Sequence, residues 1–420
     1  QHKFVWRDAG AEIYRALIGT TLAPPLWDVR YATFEGDVTA RAEEWRITIE
    51  PDGRVRNFRH LLPEARPGAR LPKATALALA ERHVRERFGL DPATLTQVAA
   101  EERDRPARTD WSFMFADPRL DVGKGGEARI SVTLAGDEIV GAARFVHVPE
   151  AWLRAERERS GRLQVVKIAA GLLFLLAGLA ALVFGVRSWL RGHCDARALA
   201  LVLATALGTA AGSIAVMWPS IAMQLRTTEP ILWQALLAVA GSFLAAGLAA
   251  MAIALAAGVG AWAARSAPNA LPAGPLPPWA AGVAAAFFVA GAGALAGRLV
   301  PPEAPHWPSV ALESAAFPWA AAALEGLAAV SAIGVGLFLL HILDRVTAAW
   351  TRRSWFALAL VAALIAGIIA VKTGEAGDAL AEGIGAGLFA AAVVYFVLRF
   401  DARTVPAYLV TAADRVLERC

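Results

Sequence analysis

Long apolar runs, separated by short polar loops, fill the chain from residue 165 onward. An α-helix needs about 20 consecutive apolar residues to cross the hydrocarbon core of a bilayer. Seven runs approach or exceed that length: 165–186, 198–218, 232–263, 279–300, 319–343, 355–371 and 383–400. The sequence therefore predicts an all-α polytopic membrane domain of about seven helices over residues 165–420, with the lipid bilayer as a partner.

The charged side chains are distributed unevenly along the chain. Residues 1 to about 162 hold most of them, although the chain as a whole is 57% hydrophobic with a mean hydropathy of +0.47. This asymmetry predicts a soluble domain joined to a membrane domain. The net charge of +4 comes without a basic stripe that carries interleaved aromatic residues, so we expect no nucleic-acid partner.

Arginine is concentrated in alternate loops of the membrane domain, which predicts its orientation. The arginine-rich loops follow the first, fifth and seventh runs, with Arg187, Arg191, Arg197, Arg345, Arg352, Arg353, Arg399 and Arg403. Because short cytoplasmic loops carry the excess of Arg and Lys, the amino-terminal domain is expected outside the cytoplasm. A domain of this size needs an upstream signal or helix to cross the membrane, so we expect the chain to be part of a longer protein.

The soluble part contains two passes of one pattern, each a helix followed by strands. The first pass, residues 1–70, has an amphipathic helix over residues 2–19 and then strand-like segments such as "EEWRITIE". The second, residues 71–150, has a helix that begins after Pro72 and stops at Gly89, followed by strands such as "EARISVTLAG". We predict an α+β domain of two helix-plus-antiparallel-sheet units, with a charged stalk helix over residues 151–164.

Two similar segments, "FRHLLPE" and "FVHVPE", close the two passes and contain His60 and His147. A metal site would need two or three further ligands converging on each histidine, and the local partners include arginine, which is not a metal ligand. We interpret each segment as a strand exit in which Phe faces the core and His faces solvent. Cys194 lies in the loop "RGHCDAR" without ligand spacing, so we expect a plain loop thiol and no metal or other cofactor.

Polar groups inside the apolar runs are the remaining candidates for chemistry, since a charged group at mid-bilayer costs about 2.5–3.5 kcal/mol. Glu325, in "WAAAALEGLAAVSAIG", can be a proton-handling or ligand-binding group or a solvated interfacial acid. His341, in "GLFLLHILDR", is expected at the other end of the same helix. Sixteen positions at 1.5 Å each separate the two by about 24 Å, so they cannot form one site.

Two family resemblances follow from these segments. "ATALALAERHVRERFGLDPATLTQVAAEE" followed by paired strands resembles the PepSY-like modules of bacterial extracytoplasmic proteins, small helix-and-sheet domains associated with protease inhibition or regulation. The extracytoplasmic domain followed by an Ala/Leu-rich bundle resembles the bacterial CPBP (CAAX-protease and bacteriocin-processing) intramembrane proteases. Together with the predicted spans, these resemblances imply a multi-pass protein of the bacterial inner membrane with an extracytoplasmic domain.

The predicted spans of this chain lack the catalytic motif of the CPBP proteases. CPBP proteases carry Glu-Glu-x-x-x-Arg on one span, whereas the pairs Glu43–Glu44 and Glu101–Glu102 lie in the soluble part of this chain. No catalytic residue can therefore be carried over, and Glu325 and His341 stay the intramembrane candidates. Two hypotheses follow: part of a CPBP-type protease-like protein, or a non-enzymatic membrane-anchored protein whose outer domain binds a peptide or an envelope partner.

Overall fold

The computed structural model describes residues 1–266, 276–299, 318–372, 376–399 and 401–417. Its residues cluster into two compact units. Gln1–Glu156 and, among the other described residues, Met223–Leu236 form the first, which we call the sheet unit. The remaining described residues form the second, which we call the helical unit.

A single antiparallel sheet of seven strands dominates the sheet unit. The strands are β1 (Trp27–Ala32), β2 (Glu44–Ile49), β3 (Val55–Leu61), β4 (Thr96–Arg105), β5 (Arg108–Asp117), β6 (Glu127–Ala135) and β7 (Glu138–His147). Their order across the sheet is β1-β2-β3-β7-β6-β5-β4, so β3 pairs directly with β7. The α+β class is confirmed. The prediction of two separate helix-and-sheet units is not confirmed, because the strands of both passes share this one sheet.

Four helices belong to the amino-terminal part of the sheet unit: α1 (His2–Asp8), α2 (Ala11–Leu17), α3 (Val38–Arg41) and α4 (Lys73–Phe88). The prediction for α4 is confirmed, and its end is fixed by Gly89, which adopts a left-handed φ of 65°. The single helix predicted over residues 2–19 is wrong. It is divided at Gly10, whose φ of 93° is a conformation that interrupts a helix.

The largest core of the sheet unit lies between α4 and strands β5 and β6. Ala76, Ala80 and Val84 recur every fourth residue along α4 and are fully buried. They pack against strand residues that alternate along β5 and β6: Trp111, Phe113, Phe115, Ile130, Val132 and Leu134. The spacing of four on the helix and two on the strands is what aligns these apolar faces.

The helical unit is built from long apolar helices. They are α5 (Glu150–Leu190), α6 (Ala196–Val216), the short α7 (Trp218–Ala222), α8 (Ile231–Ser266), α9 (Pro278–Leu299), α10 (Pro318–Val346), α11 (Ser354–Lys372), α12 (Ala376–Val393) and α13 (Thr404–Leu417). A π-helical turn, Val394–Leu398, follows α12. The stalk predicted over residues 151–164 is not a separate helix, since α5 is continuous from Glu150 to Leu190.

Four stretches of the described helices are long and apolar enough to cross a membrane: Lys167–Leu190, Ala196–Val216, Ile231–Ser266 and Ala323–Val346. Three shorter apolar stretches lie at the other predicted positions: Pro278–Ala292, Ser354–Ile368 and Ile384–Leu398. Four candidate membrane-crossing helices thus lie where the sequence predicts spans. The count of seven is not confirmed within the described residues.

Glycines allow close helix contacts within the helical unit. A Cβ on Gly260 of α8 would lie 2.6 Å from the backbone nitrogen of Phe338 in α10. A Cβ on Gly212 of α6 would lie 2.6 Å from a methyl carbon of Leu324, also in α10. At Gly260 the neighbouring atoms are backbone and cannot move aside, so α8 and α10 can pack this closely only because that position lacks a side chain, whereas at Gly212 the Leu324 side chain could shift.

Candidate ligand-binding cavity of the sheet unit

A cavity of about 600 Å³ lies against the sheet. On β5 and β6 the lining residues Asp110, Ser131 and Thr133 alternate with the core residues, so this part of the cavity lies on the sheet face opposite α4. The polar part of the lining comprises Asp28, Arg46, Thr48, Asn57, Arg59, Arg105, Arg108, Asp110, Ser131 and Thr133. This volume is within the range of cavities that hold small molecules or short peptides.

Three arginines occupy directly paired positions on neighbouring strands beside this cavity. Arg30 of β1 pairs with Arg46 of β2, and Arg46 pairs with Arg59 of β3. We call these three residues the arginine row. Like charges directly opposite each other destabilise a sheet, so this arrangement favours a compensating anion.

Glu44 supplies part of that compensation. Its carboxylate accepts hydrogen bonds from Arg30 Nε at 2.8 Å and from Arg46 Nε at 2.9 Å. Burial by itself raises the pKa of the Glu44 carboxyl, but the hydrogen bonds from the two guanidiniums outweigh it and hold the pKa below its usual range. One carboxylate therefore serves two of the three arginines.

Arg30 is further fixed by backbone carbonyls. Its guanidinium donates to the oxygens of Met223, at 3.2 Å, and Leu225, at 2.7 Å, both in the Met223–Leu236 segment of the sheet unit. The Arg30 side chain is 8% exposed, whereas that of Arg46 is 55% exposed. Arg30 is thus a structural member of the row, and Arg46 keeps donors free for other partners.

Arg59 is the member of the row without compensation. It is exposed, and it makes no hydrogen bond or ion pair within the part of the chain that the structure describes. Its neighbour across the next strand pair is Gly141 of β7, which also lines the cavity. Since Gly141 has no side chain, the space beside the Arg59 guanidinium stays open.

Asn57 adds a second unsatisfied group to the lining. The Oδ1 atom of its side chain is buried and has no hydrogen-bond donor among the described residues. A buried acceptor without a donor costs about 1–3 kcal/mol. The cavity therefore offers free cationic donors at Arg46 and Arg59, whereas the Asn57 acceptor is buried beneath its surface.

The arginines at the far side of the cavity are already satisfied. Arg108 Nε lies 2.7 Å from Asp110 Oδ1, and Arg105 Nε lies 3.0 Å from Asp110 Oδ2. Arg108 also donates to the carbonyl oxygens of Pro63 and Arg66, and its side chain is 4% exposed. Arg105 also pairs with Glu64 of the loop after β3, so two carboxylates balance the two arginines at this end. These contacts hold that loop against β5.

His60 does not face solvent, which corrects the interpretation of the first repeated segment. The residue is 5% exposed and its ring stacks on Trp45 at 3.7 Å between centroids. Its Nε2 lies 2.7 Å from Glu43 Oε1 and its Nδ1 lies 2.7 Å from Glu138 Oε1. Through these contacts the ring connects β2, β3 and β7 at the join between the two halves of the sheet.

The second histidine of the repeated segments is placed differently. His147 is half-buried at the last position of β7, whereas His60 lies near the first residue of that strand, Glu138. The two histidines are thus at opposite ends of β7 and share no site. Among the described residues, no group of three or more His, Cys, Asp or Glu is placed to hold a metal ion.

The intramembrane candidates lie apart from each other on α10. Glu325 is exposed, three residues into the stretch Ala323–Val346, and makes no hydrogen bond or ion pair among the described residues. His341 is half-buried near the other end, with its ring 5.9 Å from that of Phe184 and 6.3 Å from that of Trp262. Their functional roles stay predictions.

Cys194 is half-buried and packs close to Gly258 of α8. Burial raises the pKa of its thiol, so the protonated form is favoured at neutral pH. The neighbouring Asp195 caps α6 by accepting hydrogen bonds from the backbone of Arg197 and Ala198. The loop "RGHCDAR" is thus built into the helix packing.

Comparison with models of protein families, with curated proteins and with solved structures finds no significant match for this chain. The resemblances to PepSY-like modules and to CPBP proteases therefore stay expectations that rest on their sequence segments.

Sequence reasoning missed the arginine row. Its signal was present, because Arg30, Arg46 and Arg59 each lie in the middle of a strand between apolar or aromatic neighbours. Mid-strand arginines of this kind are unusual for a sheet face that packs on a core. Their direct opposition, however, depends on the register of three strands and cannot be derived from any one segment.

Proposed function

We propose that the chain is a membrane-anchored, non-enzymatic binding protein whose sheet unit holds a peptide-like ligand in the cavity opposite α4. The observation that carries the proposal is the cavity itself, a concave site of about 600 Å³ lined by free polar groups on a rigid sheet. Four apolar helices long enough to cross a membrane support the anchoring role. The groups that line the cavity are donors and acceptors suited to recognition.

The proposed location is the inner membrane of a bacterium, with the sheet unit outside the cytoplasm. The arginine-rich loops after the first and fifth predicted spans support this orientation. Replacing exposed Val98 of β4 by cysteine, in a chain without Cys194 and Cys420, provides a test. We expect a membrane-impermeant maleimide to label Val98→Cys in intact spheroplasts, and labelling only after lysis would contradict the orientation.

Gly141 provides the test of the binding site. A Cβ at this position would be 3.5 Å from Phe58 O and 4.0 Å from Thr133 Cβ, so Gly141→Ala fits without strain. The larger side chain of Gly141→Leu would extend into the cavity. We expect the purified full chain in neutral-lipid nanodiscs to retain members of a synthetic pentapeptide library, as identified by mass spectrometry.

The two variants separate cavity binding from other effects. Gly141→Leu is expected to lose most of the retention and Gly141→Ala to keep it, with both proteins folded by circular dichroism. Equal retention by Gly141→Leu and the native chain would show that the peptides bind elsewhere and would overturn the proposal.

Intramembrane proteolysis is the competing proposal and rests on the resemblance to CPBP proteases. It requires an activated water beside a carboxylate, and Glu325 is the candidate on α10. Cleavage of a transmembrane peptide substrate by the native chain, lost in Glu325→Gln, would favour this reading over the binding role.

A further inference from the structure

We infer that the cavity recognises an acidic peptide in extended conformation, with a carboxylate of the peptide bound between Arg46 and Arg59. This inference rests on the proposed binding function and names its ligand class. It follows from the charge balance of the row and from the open surface at Gly141.

The charge balance favours an anion. The row contains three guanidiniums and one carboxylate, that of Glu44, which bonds to Arg30 and Arg46. Arg59 stands directly opposite Arg46 and has no carboxylate among the described residues. An incoming anion between Arg46 and Arg59 would turn a like-charge repulsion into two charge-assisted hydrogen-bonding contacts.

The geometry favours a carboxylate on an elongated ligand. A guanidinium presents paired N–H donors that match the two oxygens of a carboxylate. Beyond Arg59, the residues paired across the strands are Gly141 and then Thr133. The surface of the cavity therefore has no side chain at Gly141 and presents a hydroxyl group at Thr133. A ligand that is anchored on Arg46 and Arg59 can therefore extend across β7 and β6 toward the neutral end at Asp110.

The extent of the cavity distinguishes a peptide from a bare anion. An inorganic oxyanion would occupy only the space between Arg46 and Arg59, whereas the cavity of about 600 Å³ continues past Gly141 to the hydroxyl of Thr133. A peptide brings an anchoring carboxylate together with a backbone long enough to cover that surface.

The test uses the native full chain in nanodiscs of neutral phosphatidylcholine. The probes are two pentapeptide libraries with amidated carboxyl termini that are identical except for Glu or Gln at the central position, with inorganic phosphate as a competitor. We expect the Glu library to be retained about 10-fold more strongly, as one charge-assisted bond implies. We also expect phosphate at millimolar concentration to leave most of that retention intact.

Arg59→Gln is the deciding variant, because its exposed side chain has no partner to lose and the fold should be kept. The inference predicts that Arg59→Gln removes the preference for Glu over Gln, while Lys124→Gln, a change of equal charge at a residue outside the cavity lining, keeps it.

Three results would contradict the inference, and each would overturn a different part of it. Equal retention of the Glu and Gln libraries would overturn the acidic preference and leave the binding function in place. Complete displacement by phosphate would show an anion site without peptide recognition. Failure of the native chain to retain either library would overturn the inference together with the proposed function.

Discussion

The two units of this protein place their large apolar side chains in opposite ways. In the sheet unit Phe113, Val132 and Leu134 are fully buried against α4. In the helical unit, by contrast, Leu237 and Leu190 are 71% and 75% exposed, and the fully buried positions include small residues such as Ala254. The first pattern is that of a domain that folds in water. The second suits a bilayer, where lipid is as apolar as leucine and packing depends on close backbone approach.

The largest expected effect tests the water-folded core. Phe113→Ala removes a fully buried ring that stacks on Trp111 at 5.6 Å, so we expect the free energy of unfolding of the sheet unit to fall by about 3–5 kcal/mol. Urea-dependent hydrogen exchange of strand amides measures the change. The matched control is Leu237→Ala, which removes an exposed side chain from α8 and should change the helical unit by less than about 0.5 kcal/mol.

A comparable loss from Leu237→Ala would mean that leucine side chains, and not small residues, hold the helices together, and the contrast between the units would fail.

The second prediction tests the small-residue packing. Gly260→Ala places a Cβ 2.6 Å from the Phe338 backbone nitrogen, and we expect a loss of about 1–3 kcal/mol as α8 and α10 separate. Gly247→Ala, on the same helix, meets nothing within 4 Å and should be neutral or stabilising by up to about 1 kcal/mol. Thermal unfolding in detergent, followed by circular dichroism, compares the two. A tolerated Gly260→Ala would contradict close contact of these helices.

The third prediction concerns the polar face of the sheet and its pH dependence. Glu44→Gln removes the carboxylate shared by Arg30 and Arg46, and we expect a loss of about 1–3 kcal/mol at pH 7. Because the folded-state pKa of Glu44 is lowered, its contribution is fully present above the unfolded-state pKa of about 4.3 and is lost as the pH falls through the folded-state value.

The urea concentration at the midpoint of unfolding, measured between pH 7 and pH 3, tests whether stability falls on acidification. The native chain should lose more stability on acidification than Glu44→Gln does. An equal acid dependence in both proteins would show that Glu44 is not coupled to the arginine row.

The smallest expected effect sharpens the contrast between the two ends of the cavity. Arg59→Ala should change the free energy of unfolding by less than about 0.5 kcal/mol, because the side chain is exposed and has no partner among the described residues. Arg108→Ala should cost about 1.5–3 kcal/mol, since it leaves Asp110 and two carbonyl oxygens without their buried donor. Denaturant titration of the two variants measures this difference in the free energy of unfolding, and it distinguishes an arginine that is available for binding from one that stabilises the fold.

Much of the local structure could be predicted from the sequence. Helix α4 begins after Pro72 and ends at Gly89, and the strand segments lie where alternation predicts them. The side assigned to His60 was wrong for a reason visible in the sequence. Phe58 and His60 are two residues apart in β3, and such residues share a face. Applying the alternation of strand side chains would have placed the His60 ring on the same face of the sheet as Phe58.

The arrangement of the strands could not be predicted in the same way. Pairing of β3 with β7 brings together segments about 80 residues apart, and only two residue pairs, Phe58–Ala142 and Arg59–Gly141, form that register. Local propensities are satisfied equally by two small sheets or by one large sheet. The buried ring of His60, which stacks on Trp45 and contacts Glu138, stabilises the join of the single sheet.

What the sequence determined by itself was the division into a charged α+β part and an apolar helical part, because composition and periodicity report the solvent that each segment faces. What only the tertiary structure decided was the candidate site. Arg30, Arg46 and Arg59 are separated along the chain and become neighbours through the register of β1, β2 and β3. Their repulsion, and hence the inferred need for an anion, exists only once long-range pairing has aligned the strands.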